Sequence, residues 1–331
     1  MPNITIHITE YQPVDKQKWD DLCRASSNFF QSTAYDEVSA IFGNTAVYFE
    51  CYHNNVPVAG QKIYVYWSAR KALRYISRSA HSYGEAVCQP GSEHCIAKIG
   101  DAIYTYLKTE NIHFYKSKPV YGGISAEKAC GKFPTKAIEL AVLPIGAPIE
   151  ELYSSIYKTH RRYIGKAEKE GLRFSVENDF DAFYELLLLT YAGQRVKPPA
   201  KNYLQALYCA GRSANAAELC FVSRGSQKLS AVLALGYGRH VEYMHGGSIR
   251  SMAGSNHLLH YSMMKRYNAL GYITAGYGMV SFSDAANRRF ETVSDFKMKF
   301  GCRTIEGYQS ELIVNRFANN AFNMLKKIKS R

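Results

Sequence analysis

HVEYMHGGSIRSMAGSNHLLHYSMMKRYNALGYITAGYGM, residues 240–279, decides the class of fold. HVEYMHGGS (240–248) is rich in strand-forming residues and ends on small ones. SNHLLHYSMMKRYNAL (255–270) is helical, opened by the capping types Ser255 and Asn256. YITAGYGM (272–279) returns to strand. Upstream, ELCFVS (218–223) and LSAVLALGYG (229–238) are strands, joined to each other and to HVEYMHGGS by the turns RGSQK and GRH. Downstream come a helical stretch containing VSDFKMKFG (293–301) and a strand, TIEGYQSELIV (304–314). Strand, strand, strand, helix, strand, helix, strand predicts an α/β (α+β) fold, a mixed central sheet flanked by helices.

The preceding half reads as a weaker version of the same plan. ITIHITE (4–10) is a strand, and a short helix from Lys16 to Arg24 follows Asp15 as its cap. Residues 46–54 and 58–67 flank Asn54-Asn55, a hairpin signal. A helix over 97–109 leads into the strand IHFYKS (112–117). Stretches containing Gly and Pro at 117–134 and 144–148 separate this half from KAIELAVL (136–143), a strand, and a long helix over 149–169. Then come the strand LRFSVEN (172–178) and helices over 179–193 and 200–211; a basic helix, 316–331, closes the chain. The order predicts two tandem domains, 1–145 and 146–315, with the terminal helix packing back on the first.

Composition narrows the function. The chain has 331 residues, 47% hydrophobic, with mixed charge, so it folds. No apolar run reaches the ~20 residues of a spanning helix, and the first residues lack a basic segment followed by an apolar core. A cytoplasmic location is the expectation. Eight cysteines lie far apart without a C-x-x-C pair, which predicts reduced thiols. Cys88, His94 and Cys95 lack a second half with zinc-ligand spacing, so no metal is expected. The net charge of +13 points to an anionic partner: RNA, a nucleotide cofactor, or a phosphate-bearing envelope precursor at the membrane surface.

Candidate residues fall in four places. On the helix over 149–169, Leu152, Ile156, Tyr163 and Ala167 share one face. Lys158, Arg162, Lys166 and Lys169 share another with few carboxylates nearby, a stripe suited to an anion or to plain solvation. Gly246, Gly247 and Ser248 end a strand beside Tyr243, where glycine permits close backbone approach to a ligand. Ser255 and Asn256 open a helix whose N-terminus favours a phosphate or carboxylate. His245, His257 and His260 are possible bases, but no Ser-His-Asp or Cys-His order is legible. Lys297 sits between Phe296 and Phe300, which are at core spacing, so it either snorkels to solvent or is held as a fixed cation.

Five stretches in order resemble the Fem-type aminoacyltransferases, which build peptidoglycan cross-bridges on GNAT-like domains. They are FFQSTAYDEV (29–38), SIYKTHRRYIGKAEKEGLRF (155–174), EYMHGGSIRSMAGSNHLLHYSMMKRYNALGY (242–272), FKMKFG (296–301) and GYQSELIVN (307–315). The resemblance implies two GNAT-like domains with substrate between them. It also implies an aminoacyl-tRNA donor without a further cofactor, and as acceptor an amine of an envelope precursor. In F-K-x-x-F-G the lysine is thought to stabilise the tetrahedral intermediate, supported by the preceding Phe; here these are Lys297 and Phe296. Arg162, Lys166, Tyr243, Gly246, Gly247, Ser248, Arg250, Ser255 and Asn256 are the implied substrate contacts. An envelope acceptor would bring peripheral association at the inner membrane face. Two departures stand out. Ser39 replaces a lysine said to meet precursor phosphate, and Tyr35 replaces the family's Trp. RSMAGSN (250–256) lacks the R-x-x-G-x-G spacing of coenzyme-dependent relatives. Two other functions stay open: an acyl-CoA-dependent N-acetyltransferase acting on an amino sugar or small amine, and a non-catalytic basic protein binding RNA or a membrane surface.

Overall fold

The computed structural model describes residues 4–67, 76–121, 123–249, 254–280 and 288–329. The chain divides into two compact units, 1–138 with 306–331, and 139–305. The sequence reading set these limits at 145/146 and 315/316. They fall earlier because two strands, Thr135–Pro144 and Arg303–Ile313, each straddle a limit.

The first unit runs β1 (Ile4–Glu10), α1 (Lys16–Ala25), α2 (Ala34–Ala40), β2 (Asn44–His53), β3 (Val56–Tyr66), β4 (Ser79–Tyr83), β5 (Val87–Cys88), α3 (Ile96–Thr109), β6 (Phe114–Lys118) and α4 (Ala126–Cys130). Asp15 caps α1 by accepting from the Lys18 N–H at 3.1 Å. Asn54 and Asn55 both take positive φ, 50° and 62°, as a two-residue hairpin turn between β2 and β3 demands. The order β1-β2-β3-β4-β6 is antiparallel except at β4/β6. On α3, Ile96, Ile99, Ile103 and Leu107 are buried at helical spacing against Val47, Phe49 and Ile63.

The second unit begins in β7 (Thr135–Pro144), then α5 (Ile149–Ser155), α6 (Lys158–Lys169), β8 (Arg173–Val176), α7 (Phe180–Gln194), α8 (Lys201–Ser213), β9 (Ala217–Arg224), β10 (Gln227–Tyr237), β11 (His240–Ser248), α9 (Ser255–Ala269), β12 (Thr274–Val280) and α10 (Arg288–Lys299). β13 (Arg303–Ile313) and α11 (Arg316–Lys329) complete the chain. The order is β7-β12-β11-β10-β9-β8, antiparallel except at β11/β12. The core includes Leu143, Ile164, Val232, Leu259, Met263 and Phe300.

One predicted element is two. The helix over 149–169 breaks at Ile156 and Tyr157, which are extended with ψ of 134° and 142°. Ile156 is buried in the core, and the Tyr157 N–H donates to the Lys299 carbonyl at 2.8 Å. Core packing and a bond to distant backbone override helical periodicity here, as tertiary context routinely does.

Candidate active site

The site begins where two neighbouring strands part. β11 and β12 pair in parallel at His240–Thr274, Val241–Ala275 and Glu242–Gly276, and there the register stops. Beyond it β11 stays on β10 through Ser248, while β12 follows β7 at Met279–Leu140 and Val280–Glu139. Each strand carries an irregularity at the parting. Met244 is extra between residues paired to Leu233 and Ala234, and Tyr277-Gly278 bulges from β7 with Gly278 at φ +66°. A bulge bends its strand and re-aims side chains, so two of them at one place separate the strands. From Tyr243 onward the edge of β11 turned toward β12 has no strand partner among the described residues.

Lys297 reaches this opening from α10. It is half-buried, and its ammonium donates to the Met279 carbonyl at 2.7 Å, just past the parting. The ammonium therefore ends on main chain. Burial holds its pKa below the ordinary lysine range, opposed by Cys302 and Glu242. The ammonium in turn helps keep His260 neutral. A fixed ammonium beside unpaired strand edge is suited to meeting a developing oxyanion.

Behind the opening lies a box of rings. His260 on α9 stacks on Tyr243 of β11 at 4.7 Å and 9°, and on Tyr277 of β12 at 5.2 Å and 25°. Phe296 packs against His160 at 4.9 Å, His257 at 5.1 Å, His260 at 5.2 Å and Phe300 at 5.2 Å. His160 Nε2 donates to the Phe296 carbonyl at 3.2 Å, which fixes its tautomer and leaves Nδ1 an acceptor. The buried Nδ1 atoms of His160 and His260 have no hydrogen-bond partner among the described residues. Burial lowers His257 to about 4 and His260 to about 3, so both are neutral near pH 7. His245 is lowered to about 4, also by burial.

The glycines beside Tyr243 serve packing. A Cβ on Gly246 would lie 1.8 Å from the Tyr243 hydroxyl, and one on Gly247 would lie 2.3 Å from the Leu186 backbone of α7. Ser248 is tied on two sides: its N–H donates to Thr190 Oγ1 at 2.7 Å, and its hydroxyl accepts from Asn256 Nδ2 at 2.9 Å. Asn256 and Ser248 thus clasp the connection from β11 to α9. Ser255 is buried at the start of α9, after Gly254, whose φ of +97° lets it pass 2.7 Å (measured from an added Cβ) from the Tyr163 carbonyl of α6. Arg250 lies outside the described residues. Arg162 and Lys166 are exposed on α6, Arg162 near the Tyr163 ring at 5.6 Å and Lys166 near Glu170 at 3.7 Å. The basic stripe is therefore partly neutralised within its own helix. Ser39 is buried and accepts from Asn44 Nδ2 at 3.0 Å.

Sequence reasoning missed Glu242, His240, Tyr277 and His160. Glu242 is buried, with the His240 Nε2 at 3.1 Å, and His240 Nδ1 is 2.8 Å from Thr274 Oγ1. The signal was present: His240 and Glu242, two apart on a strand, share a face. Among the described residues no group of three or more His, Cys, Asp or Glu side chains is arranged to hold a metal ion.

Residues 154–286 match the family model of the acetyltransferase (GNAT) domain. The match lies within the second unit, and the chain as a whole shares its fold with Fem-type and tandem GNAT structures. The structure superposes on FemX with a TM-score of 0.76 at 15% identity, covering 96% of this chain and 99% of that one. It resembles L-PGS from Bacillus licheniformis (TM-score 0.59, 11% identity, 92% and 94% covered). A tandem GNAT protein of the clavulanic acid biosynthesis pathway is also similar (0.51, 9%, 94% and 99%). At such identities the likeness speaks for the fold. No curated protein matches the sequence. No helix among the described residues is long and apolar enough to cross a membrane.

Proposed function

We propose that the chain is an N-acyltransferase of the Fem-like type, moving an aminoacyl group from a tRNA ester to an amine of an envelope precursor. The observation that carries this reading is Lys297, whose ammonium is anchored on the Met279 carbonyl at the parting of β11 and β12. The amine nitrogen attacks the ester carbonyl, and the carbonyl oxygen becomes an oxyanion that the ammonium meets. The C–O bond to the ribose then breaks, and the amine's proton leaves to solvent or to the departing ribose oxygen. Neither step needs a nucleophile from the protein, in keeping with the lack of a serine or cysteine beside a base among the candidates. The sequence resemblance to the Fem-type aminoacyltransferases favours the tRNA donor, and the fold shared with FemX over 96% of the chain is in keeping with it. The positive charge of +13 favours a polyanion of this kind.

An acyl-CoA thioester would undergo the same displacement with a thiol leaving, and the GNAT match favours that second reading. The two separate in one experiment. Purified protein is given aminoacyl-tRNA or acetyl-CoA with amine acceptors, amino sugars among them, and the products are read by mass spectrometry. Acyl transfer from tRNA supports the first reading. Transfer from acetyl-CoA alone replaces it with the second, and retention of RNA without transfer from either donor leaves a binding protein.

A further inference from the structure

α11 leaves the first unit's sheet with part of its apolar face uncovered. By helical spacing Phe317, Ala321, Met324 and Ile328 share one face. An amphipathic helix ordinarily buries such a face, as α3 does with Ile96, Ile99, Ile103 and Leu107. On α11 Ala318 is buried, while Phe317 is 82% exposed and Met324 62%. The helix carries Arg316, Lys326, Lys327 and Lys329, and neither Asp nor Glu. Its start is fixed: the Val314 N–H donates to the His113 carbonyl at 2.8 Å, and Asn315 Oδ1 accepts from the Ala318 N–H at 3.0 Å.

The end of the sheet from which α11 departs is apolar as well. Register sets one row across it: Asn44 opposite Tyr66, Tyr66 opposite Ser79, Ser79 opposite Phe114, and Phe114 opposite Ile313. Ile313, exposed, stands just ahead of α11. At the far end of the row Ile41 and Phe42 precede Asn44, and Tyr11 follows β1, its N–H donating to the Ala46 carbonyl at 2.9 Å; all three are exposed. The row spans about 20 Å at ~4.8 Å per strand. Single exposed apolar side chains are ordinary on a protein surface. Several at one end of a sheet, beside a helix without an acid, form a surface for a partner. The nearby carboxylates are engaged, Glu10 by the Tyr106 hydroxyl at 3.1 Å and Glu110 by Arg78 at 3.7 Å.

We infer that this end of the first unit docks on an anionic lipid bilayer, with Phe317 and Met324 in the interface, the α11 cations at lipid phosphates, and Tyr11, Ile41 and Phe42 on the same surface. A helix with an apolar stripe beside lysines lies in the plane of such an interface, and its binding grows with buried apolar area and with attraction to anionic lipid. RNA would also meet the cations, but its bases stack on flat rings, and Ile41, Ile313 and Met324 offer none. A broad lipid surface takes both ends of the row at once. The inference concerns the first unit alone and rests neither on Lys297 nor on the identity of the donor.

The test needs no substrate. The full chain is sedimented with sucrose-loaded vesicles of phosphatidylcholine alone or of an equimolar mixture with phosphatidylglycerol. Binding should appear with the anionic mixture and weaken as salt is raised. Lys326→Gln together with Lys327→Gln should weaken it by roughly 20-fold, about fivefold for each cation. Phe317→Ser, an exposed change that should leave the thermal melt near wild type, should weaken it by about tenfold. Phe42→Ser, at the other end of the row, should give a smaller loss. Equal binding to both vesicles, binding to neither, or wild-type binding by folded Phe317→Ser or Phe42→Ser overturns the inference. If Phe317→Ser instead abolishes retention of tRNA, or self-association read by light scattering, while vesicles go unbound, the surface belongs to RNA or to a second copy, and the inference falls as well.

Discussion

Among the described residues each unit shows a parallel strand pair, and the two pairs differ where it matters. In the first unit β4 and β6 stay in register for all five residues, Ser79–Phe114 to Tyr83–Lys118, and the Gly84 N–H extends the pairing to the Lys118 carbonyl at 2.9 Å. In the second, β11 and β12 part after three residues. Each unit also holds a lysine whose ammonium donates to main chain. Lys62 on β3 is fully buried and paired with a carboxylate: it donates to the Ser32 carbonyl at 2.5 Å and to Asp36 at 2.6 Å, with the Tyr48 and Tyr64 rings 5.4 and 5.0 Å away. Lys297 has one hydrogen-bond acceptor among the described residues, the Met279 carbonyl. A lysine whose charge is met by a buried carboxylate holds a structure together. One with a single acceptor among the described residues, beside an unpaired strand edge, is placed to meet a ligand. The repeated architecture thus carries a closed version and an open version of one strand junction.

The sharpest break in that comparison is Lys62→Met. It removes a buried cation from Asp36, which also accepts from Tyr64 at 2.8 Å and from Tyr48, and leaves the carboxylate without its counter-charge. Stability should fall by about 3 kcal/mol or more, measured by chemical denaturation. A loss below about 0.5 kcal/mol would make the two lysines equivalent and the contrast empty.

A pH effect comes next. His260 is buried with a folded pKa of about 3, against 6.5 when free. As pH falls below 6.5 the unfolded chain takes up this proton and the folded one does not, so its contribution is full above 6.5 and is lost progressively toward 3. His260→Phe, which keeps a ring in the box, should flatten the acid limb of the melting temperature. An unchanged limb would show that the box admits the charged imidazole and is more open than its packing indicates.

Smaller still is the basic stripe. Replacing Arg162 and Lys166 with Gln should lower the salt dependence of tRNA binding by roughly one unit of slope per lost phosphate contact. A slope equal to wild type would return α6 to a solvated face, which its Lys166–Glu170 pair already makes half of it.

Much of this fold was legible because its signals are local. Asp15, Asn54-Asn55 and the strand–helix–strand run of 240–279 each state their structure within a few residues. The site was legible only in part. FKMKFG drew attention to Lys297, but what it points at comes from strand irregularities at Met244 and Gly278, and no local pattern marks a bulge. The ring box draws His160, Tyr243, His257, His260, Tyr277 and Phe296 from five separate elements, a convergence that spacing cannot reveal. Gly246 and Gly247 were read for ligand approach, yet the Tyr243 hydroxyl and the α7 backbone fill the space their side chains would take. Composition distinguishes neither use of glycine.

The central claim is that the open junction holds a working cation, and Lys297→Met tests it most directly. Acyl transfer by the purified variant is followed under single-turnover conditions, with folding checked by thermal melt and donor affinity measured separately. Folding and affinity should stay near wild type while the rate falls by about 100-fold or more, roughly 3 kcal/mol of transition-state stabilisation. Phe296→Leu, which loosens α10 against the ring box, should show a milder loss of the same kind. A well-folded Lys297→Met protein that turns over at the wild-type rate would contradict the account.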